Sequence, residues 1–243
     1  MPPNAAPEKL TVAAAADLQF ALPELLSQFH AANPRVEVSA VYGASGNFYS
    51  QIPNGAPFDV FLSADIQYPR QLAQQGFAVA DSLFTYAVGR LVVWVPSAST
   101  LDLQRLRIHV LESPAVKHVA IANPQHAPYG RAAEAALHSL GVYDRIAPKL
   151  VLGENIAQTL EFVQSGAADA GVVALSLVLA PKMRGQGRYW EIPPDAYPRL
   201  EQGGAILARA RGSQAAARLR AFLLDAAGSR ILNEYGFSAP ERR

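Results

Sequence analysis

Thr11-Val12-Ala13-Ala14-Ala15-Ala16-Asp17-Leu18 decides the reading of the whole chain, because here an apolar run passes through four alanines into an amphipathic segment. It reads as a buried strand, a tight turn and a helix. The side chains of Ala13 to Ala16 carry no chemistry, so any function of the turn lies in main-chain N–H groups, which small residues let a ligand approach closely. The first N–H groups of a helix have no partner within it, and the helix dipole places the equivalent of about half an elementary charge beside them. Such a turn is an anion site in waiting. Every parallel α/β protein has several, so its weight depends on recurrence.

The pattern recurs. Leu10 to Ala14 lacks polar alternation, as expected of a central parallel strand covered on both faces. Leu18, Ala21, Leu22, Leu25, Leu26 and Phe29 then form one apolar helical stripe ending near Asn33-Pro34. Pro23 cannot donate to the Gln19 carbonyl, which predicts an irregular or kinked first turn. Val36 to Tyr42 reads as the second strand, and Gly43-Ala44-Ser45-Gly46-Asn47 as a turn into a helix through Phe48 and Ile52. Ser45 either caps that helix, the commoner role, or donates its hydroxyl to a ligand held there. Asp59 to Asp65 is a further strand, followed by a helix from Tyr68 to Gln75 that stops at Gly76. Phe84 to Val95, interrupted at Gly89-Arg90, is longer than one strand needs and reads as a crossing between domains.

A helix is expected near Leu103 to Leu111, and a strand over Val119 to Ala122. The loop Asn123 to Gly130 carries two prolines and leads into a helix from Arg131 to Leu140, with Gly141 as its stop. Leu150 to Leu152 leads to Gly153-Glu154-Asn155, where Asn155 caps a helix from Ile156 to Gln164. Ala170 to Ala174 is a buried strand, Tyr189 to Ile192 an extended segment and Ala205 to Ala208 another strand. Helices over Ser213 to Ala227 and Arg230 to Tyr235, broken at Gly228, close the chain. Strands alternating with helices make the fold class α/β.

Composition narrows the function. Half of the 243 residues are hydrophobic, enough for a proper core, and the formal net charge is +1 with no Lys or Arg run. A nucleic-acid or anionic-membrane surface is therefore not expected, and an anion would be held by neutral donors. The absence of cysteine excludes disulfides and thiolate metal sites. Residues 1–7 read as a flexible tail without the basic and apolar regions of a signal peptide. No uncharged apolar run reaches the ~18 residues of a membrane span.

Taken together, Thr11 to Leu18, Gly43-Ala44-Ser45-Gly46, Gly55 to Asp65, Asn123 to Gly130 and Glu234-Tyr235-Gly236-Phe237 resemble, in this order, the periplasmic molybdate-binding proteins of ABC transporters. The likeness covers nearly the whole chain. It implies a type II periplasmic binding protein fold: two α/β lobes joined by two crossing strands, with the ligand in the cleft between them. Lobe I would comprise residues 8–87 plus 199–243, and lobe II residues 88–198. The resemblance further implies a periplasmic monomer, its signal peptide removed, that binds molybdate or tungstate without cofactor or metal ligand and serves a membrane permease. Carried over residue by residue, the oxyanion contacts fall on Asp17, Ser45, Tyr129 and Ile156. Ser45 would give its hydroxyl and N–H, and Tyr129 and Ile156 their backbone N–H groups. Ala16, Ala44, Ala127, Asn155 and Ala174 are further candidates to line the cleft.

Two positions depart from the family pattern. Where many relatives carry Ser, this chain has Asp17, which we read as turned away to cap its own helix, leaving only its N–H to the ligand. The sharper alternative is a protonated Asp17 that donates. At Ala174, where relatives often place a Tyr, one donor is missing, and Tyr129 is the nearest replacement. Rival readings are weaker. Gly43-Ala44-Ser45-Gly46-Asn47 lacks the final glycine of a nucleophile elbow. His30, His109, His118, His126 and His138 show no metal spacing, His126 in the two-proline loop reads as a solvent-facing residue with a place near the cleft as the alternative, and no phosphate-binding loop with a Lys follows a strand. A transcriptional regulator would need a helix-turn-helix, for which there is no room before Leu10. Phosphate or sulfate remains the alternative ligand, with Asp17 able to accept a phosphate proton.

Overall fold

The computed structural model describes residues 7–240, so residues 1–6 of the expected tail lie outside it. In chain order the strands are β1 (Glu8–Ala15), β2 (Val36–Gly43), β3 (Val60–Ser63), β4 (Phe84–Gly89), β5 (Leu91–Pro96), β6 (Val119–Ala122), β7 (Leu150–Gly153), β8 (Ala170–Ala174), β9 (Gly187–Glu191) and β10 (Leu200–Ile206). The helices are α1 (Ala21–Ala32), α2 (Ser45–Gln51), α3 (Gln67–Gln74), α4 (Leu103–Leu106), α5 (Pro128–Ser139), α6 (Tyr143–Ile146), α7 (Ile156–Gln164), α8 (Leu175–Val178), α9 (Gln214–Leu224) and α10 (Ala226–Glu234).

Two five-stranded sheets form, in the orders β2-β1-β3-β10-β4 and β7-β6-β8-β5-β9. In the first, β1 runs parallel to β2 and β3, and β10 lies antiparallel between β3 and β4. The second repeats the plan, with β6 parallel to β7 and β8 and β5 antiparallel to β8 and β9. The apolar stretch from Phe84 to Val95 thus divides between two sheets. Arg90 is the one residue separating β4 from β5, and the chain returns to the first sheet between Glu191 and Leu200. β1 is central, and Val12, Ala13 and Ala14 are fully buried, which explains why it shows no polar alternation.

Several local expectations are corrected. The β1 turn is a single 3₁₀ turn over Ala16–Leu18, and α1 begins only at Ala21. Pro23 therefore sits in the first turn of α1, where its missing N–H costs nothing. Likewise α5 begins at Pro128, three residues earlier than Arg131, with proline at its first position. The expected helix over Leu103 to Leu111 is one turn of α-helix followed by 3₁₀ turns. The closing helices break at Asp225 rather than Gly228, because the Asp225 carboxylate accepts from the Gly228 N–H and caps α10. Gly228 lies inside α10, where a Cβ would press on the backbone of Phe222 and Leu223. The last sheet strand begins at Leu200, five residues before Ala205.

A candidate oxyanion cavity between the two sheets

Four chain segments leave the carboxyl ends of parallel strands and point at one another: the β1 turn, the β2–α2 turn, the entry to α5 after β6, and the entry to α7 after β7. In open α/β sheets ligands bind outside these strand ends. They enclose a small cavity of about 10 Å³ lined by Ala15, Ala16 and Asp17, by Gly43, Ala44 and Ser45, by Ala127, Pro128 and Tyr129, and by Asn155 and Ile156, with Ala64 from the end of β3. This space is far smaller than the roughly 300 to 1,000 Å³ of drug-sized sites, so it suits a small ion rather than an organic ligand. No Lys, Arg or His lines it.

The donors are backbone groups. Among the described residues, no backbone carbonyl accepts from the N–H of Asp17, Ser45, Tyr129 or Ile156. Each stands at the start of a helical turn, where no intrahelical acceptor exists. Starting α5 at Pro128 is what places the Tyr129 N–H in the first turn. Asn155 caps α7 as expected, accepting from Ala157 at 3.0 Å and Gln158 at 3.1 Å, and so leaves the Ile156 N–H free.

Ser45 does not cap α2. Ala44 holds the cap position with no side-chain bond. The Ser45 hydroxyl instead accepts from the Ala64 N–H at 3.0 Å and is buried. Its oxygen is thereby oriented, and its own proton remains to donate.

Asp17 does not cap either. The turn shows no side-chain cap bond, and Asp17 is fully buried with neither carboxyl oxygen in a hydrogen bond. Burial pushes its carboxyl up from the ordinary 3.8 to about 7, against the smaller opposing pull of the Tyr129 hydroxyl, its own N–H, the Gln202 amide and the Leu18 N–H. These groups lie close without hydrogen-bonding geometry. Behind Asp17 runs a buried polar chain: the Tyr86 hydroxyl donates to Gln202 Oε1 at 3.2 Å, and Gln202 Nε2 donates to the Tyr129 hydroxyl at 3.4 Å. Burial, then the Asp17 charge, raises both tyrosines well above the usual range, so both stay neutral. The Asp17 carbonyl accepts from Ser176 at 2.8 Å.

Ala174 ends β8 opposite Leu91, fully buried at the N-cap of α8, and is not among the residues lining the cavity. The Tyr129 hydroxyl accepts from Gln202 at 3.4 Å and keeps its own proton, on the side of the buried Asp17 carboxyl. All five histidines are exposed, and only the main chain of His126 takes part, its carbonyl accepting from the Gly46 N–H at 2.9 Å. That bond joins the two halves across the cavity mouth. Arg131 adds to it, reaching Asp65 at 2.9 Å and the Tyr68 hydroxyl at 3.0 Å. Sequence reasoning missed Ala64, Tyr86 and Gln202. Ser63-Ala64-Asp65 carried the signal of a fifth strand-end turn, whereas nothing local marks Tyr86 or Gln202.

A cleft between two similar α/β halves, lined by unpaired main-chain donors, defines a two-lobed solute-binding protein. Comparison with known proteins agrees. Residues 10–238 match the family model described as bacterial extracellular solute-binding protein. Molybdate-binding protein ModA of Azotobacter vinelandii is 39% identical over 229 residues, 94% of this chain and 89% of the relative. Its namesake from Rhodobacter capsulatus is 40% identical over 200 residues, 82% and 77% of the two chains. The solved structure of the Azotobacter vinelandii periplasmic molybdate-binding protein superposes with a TM-score of 0.88 at 33% identity, covering 96% of this chain and all of that one. The chain belongs to the bacterial extracellular solute-binding proteins, in the branch that holds the molybdate-binding proteins, and its fold is the type II periplasmic binding protein fold.

Proposed function

We propose that this chain binds molybdate, and tungstate, in the cavity between its sheets and delivers it as a periplasmic monomer to the permease of an ABC transporter. One observation carries the reading: free N–H groups from four turns, two from each half, converge with the Ser45 hydroxyl on a small cavity without a cationic side chain. Dipolar donors suit a tetrahedral oxyanion, because they satisfy its lone pairs without fixing a counter-ion in the site. The names of the relatives support molybdate as the ion. We place the lobes at 8–87 plus 199–243 and 88–198; the exchange of sheets near Arg90 and again before Leu200 supports that division.

Donors from both halves meeting one ion give a reason for closure, since only the closed form satisfies all of them. Catalysis has little to draw on: the Ser45 hydroxyl is paired with a backbone N–H, and no histidine lines the cavity to serve as its base. Calorimetric titration with molybdate, tungstate, sulfate and phosphate tests the proposal. Tight binding of the first two and silence from the others is expected. Binding of phosphate or sulfate in their place would overturn the molybdate assignment.

A further inference from the structure

A carboxylic acid with no partner, sealed into the wall of an anion cavity, is the group in this structure that the binding scheme does not explain. Asp17 is fully buried, both of its oxygens are unbonded, and it lines the same cavity as the free N–H groups of Ser45, Tyr129 and Ile156. No cation lies among the residues that line the cavity with it. A dianion placed there beside an ionised carboxylate would meet a like charge across a few ångströms of low-dielectric interior, which is strongly unfavourable.

We propose that the site takes up its oxyanion together with one proton, carried by the Asp17 carboxyl, so that Asp17 serves as a neutral acid and an added donor in the loaded state. This rests on the oxyanion reading of the cavity. The balance is simple: dianion, ionised Asp17 and one proton from solvent give a closed complex in which Asp17 is COOH, and release returns the proton. A protonated carboxyl supplies one O–H donor where an ionised one only accepts. A neutral acid held in an apolar enzyme site to donate a hydrogen bond is a known solution to the same problem.

The surroundings support the assignment. From β4 and α5, the titratable groups facing Asp17 are Tyr86 and Tyr129, both neutral. β10 contributes the amide of Gln202. α8 has no ionisable residue, and its Ser176 binds the Asp17 carbonyl. On α7 the one ionisable side chain, Glu161, is exposed, and on β2 Glu37 is exposed and Tyr42 half-buried. Arg131 on α5 is committed to Asp65. Burial holds the unliganded carboxyl near 7, and an adjacent dianion raises it further.

The sign follows from the direction of that shift. A closed-state pKa above the ordinary value means that closure favours the protonated acid; the advantage is complete in acid and is lost as pH rises through the closed-state pKa. Between the open-state and closed-state values, one coupled proton makes affinity fall tenfold per pH unit.

The test is calorimetric titration of the whole protein with molybdate at pH 6, 7 and 8, in buffers of different ionisation enthalpy, so that protons taken up are counted directly. Expected are between about half a proton and one proton per molybdate at pH 7, depending on how far opening lowers the Asp17 pKa, and an affinity that falls between tenfold and a hundredfold from pH 6 to 8. The isosteric Asp17→Asn should bind with a flat pH profile and no uptake. Binding without proton uptake by the unaltered protein overturns this inference alone, as does undiminished uptake in Asp17→Asn. No molybdate binding at any of the three pH values overturns the oxyanion reading and this inference with it. The proton count on the unaltered protein decides the matter even if the variant fails to fold.

Discussion

Gly46→Ala should move affinity and stability in opposite directions. Gly46 is the second residue of α2, and its N–H donates to the His126 carbonyl at 2.9 Å across the cavity mouth. A Cβ there would lie 2.6 Å from that carbonyl oxygen, where ordinary contact begins at 3.4 Å, so the two halves must part by about 0.8 Å at this point. The clash is between halves and is with backbone, so no rotamer change relieves it. Overpacking of this kind costs about 1 to 3 kcal/mol, and in the proposed closure scheme, where the halves part without ligand, the cost falls on the closed complex. Molybdate affinity should drop roughly 5- to 150-fold. Within α2 the same change replaces glycine by the best helix former and gains up to about 1 kcal/mol, because Gly46 needs no left-handed backbone. Titration calorimetry reads the first effect, and urea unfolding of the ligand-free protein the second. Affinity within twofold of the unaltered protein would refute the claim that the Gly46–His126 contact belongs to the loaded state.

Ser45→Ala removes the hydroxyl proposed to donate to the anion and also strands the buried Ala64 N–H; molybdate affinity should weaken by about 1 to 3 kcal/mol and urea stability should fall too, whereas unchanged affinity would remove Ser45 from the site. Asn155→Ala deletes the cap that accepts from Ala157 and Gln158, so thermal unfolding should show a loss of about 1 kcal/mol, with a smaller loss of affinity as the start of α7 frays. Arg131→Gln breaks the ion pair with Asp65, which is partly exposed at 40% and 29%. Affinity should fall severalfold at low salt, and the difference should shrink as salt is raised; a salt-independent loss would mean that Arg131 acts through packing.

Much of the site was legible because its signal is local. A buried strand ending in small residues before a helical stripe marks a turn with free N–H groups, and three of the four turns show it within ten residues. Asn155 is the plainest case, since an Asn directly before an apolar helical period has one common use. Where the reading failed, the deciding interaction was distant in sequence. Asp17 looks like a cap from its neighbours, but the helix it would cap starts at Ala21, and the groups around its carboxyl come from β4, β10 and α5. Ser45 looked like a cap for the same reason, while its partner Ala64 sits nineteen residues on. Pro128 falls in a stretch that reads as a loop from its two prolines, although proline is welcome at a first helical position, and the loop reading leaves the Tyr129 N–H outside the first turn of α5. Ala174 shares the strand-to-helix signature, yet it is fully buried at the end of β8 and does not line the cavity.

The most direct test is a crystal structure of the protein grown with molybdate, with data collected at the molybdenum absorption edge. The account predicts one strong anomalous peak in the cavity, within hydrogen-bonding distance of the Ser45 hydroxyl and of the N–H groups of Ser45, Tyr129 and Ile156. A peak elsewhere, or an empty cavity in a protein that calorimetry shows to be loaded, would contradict it.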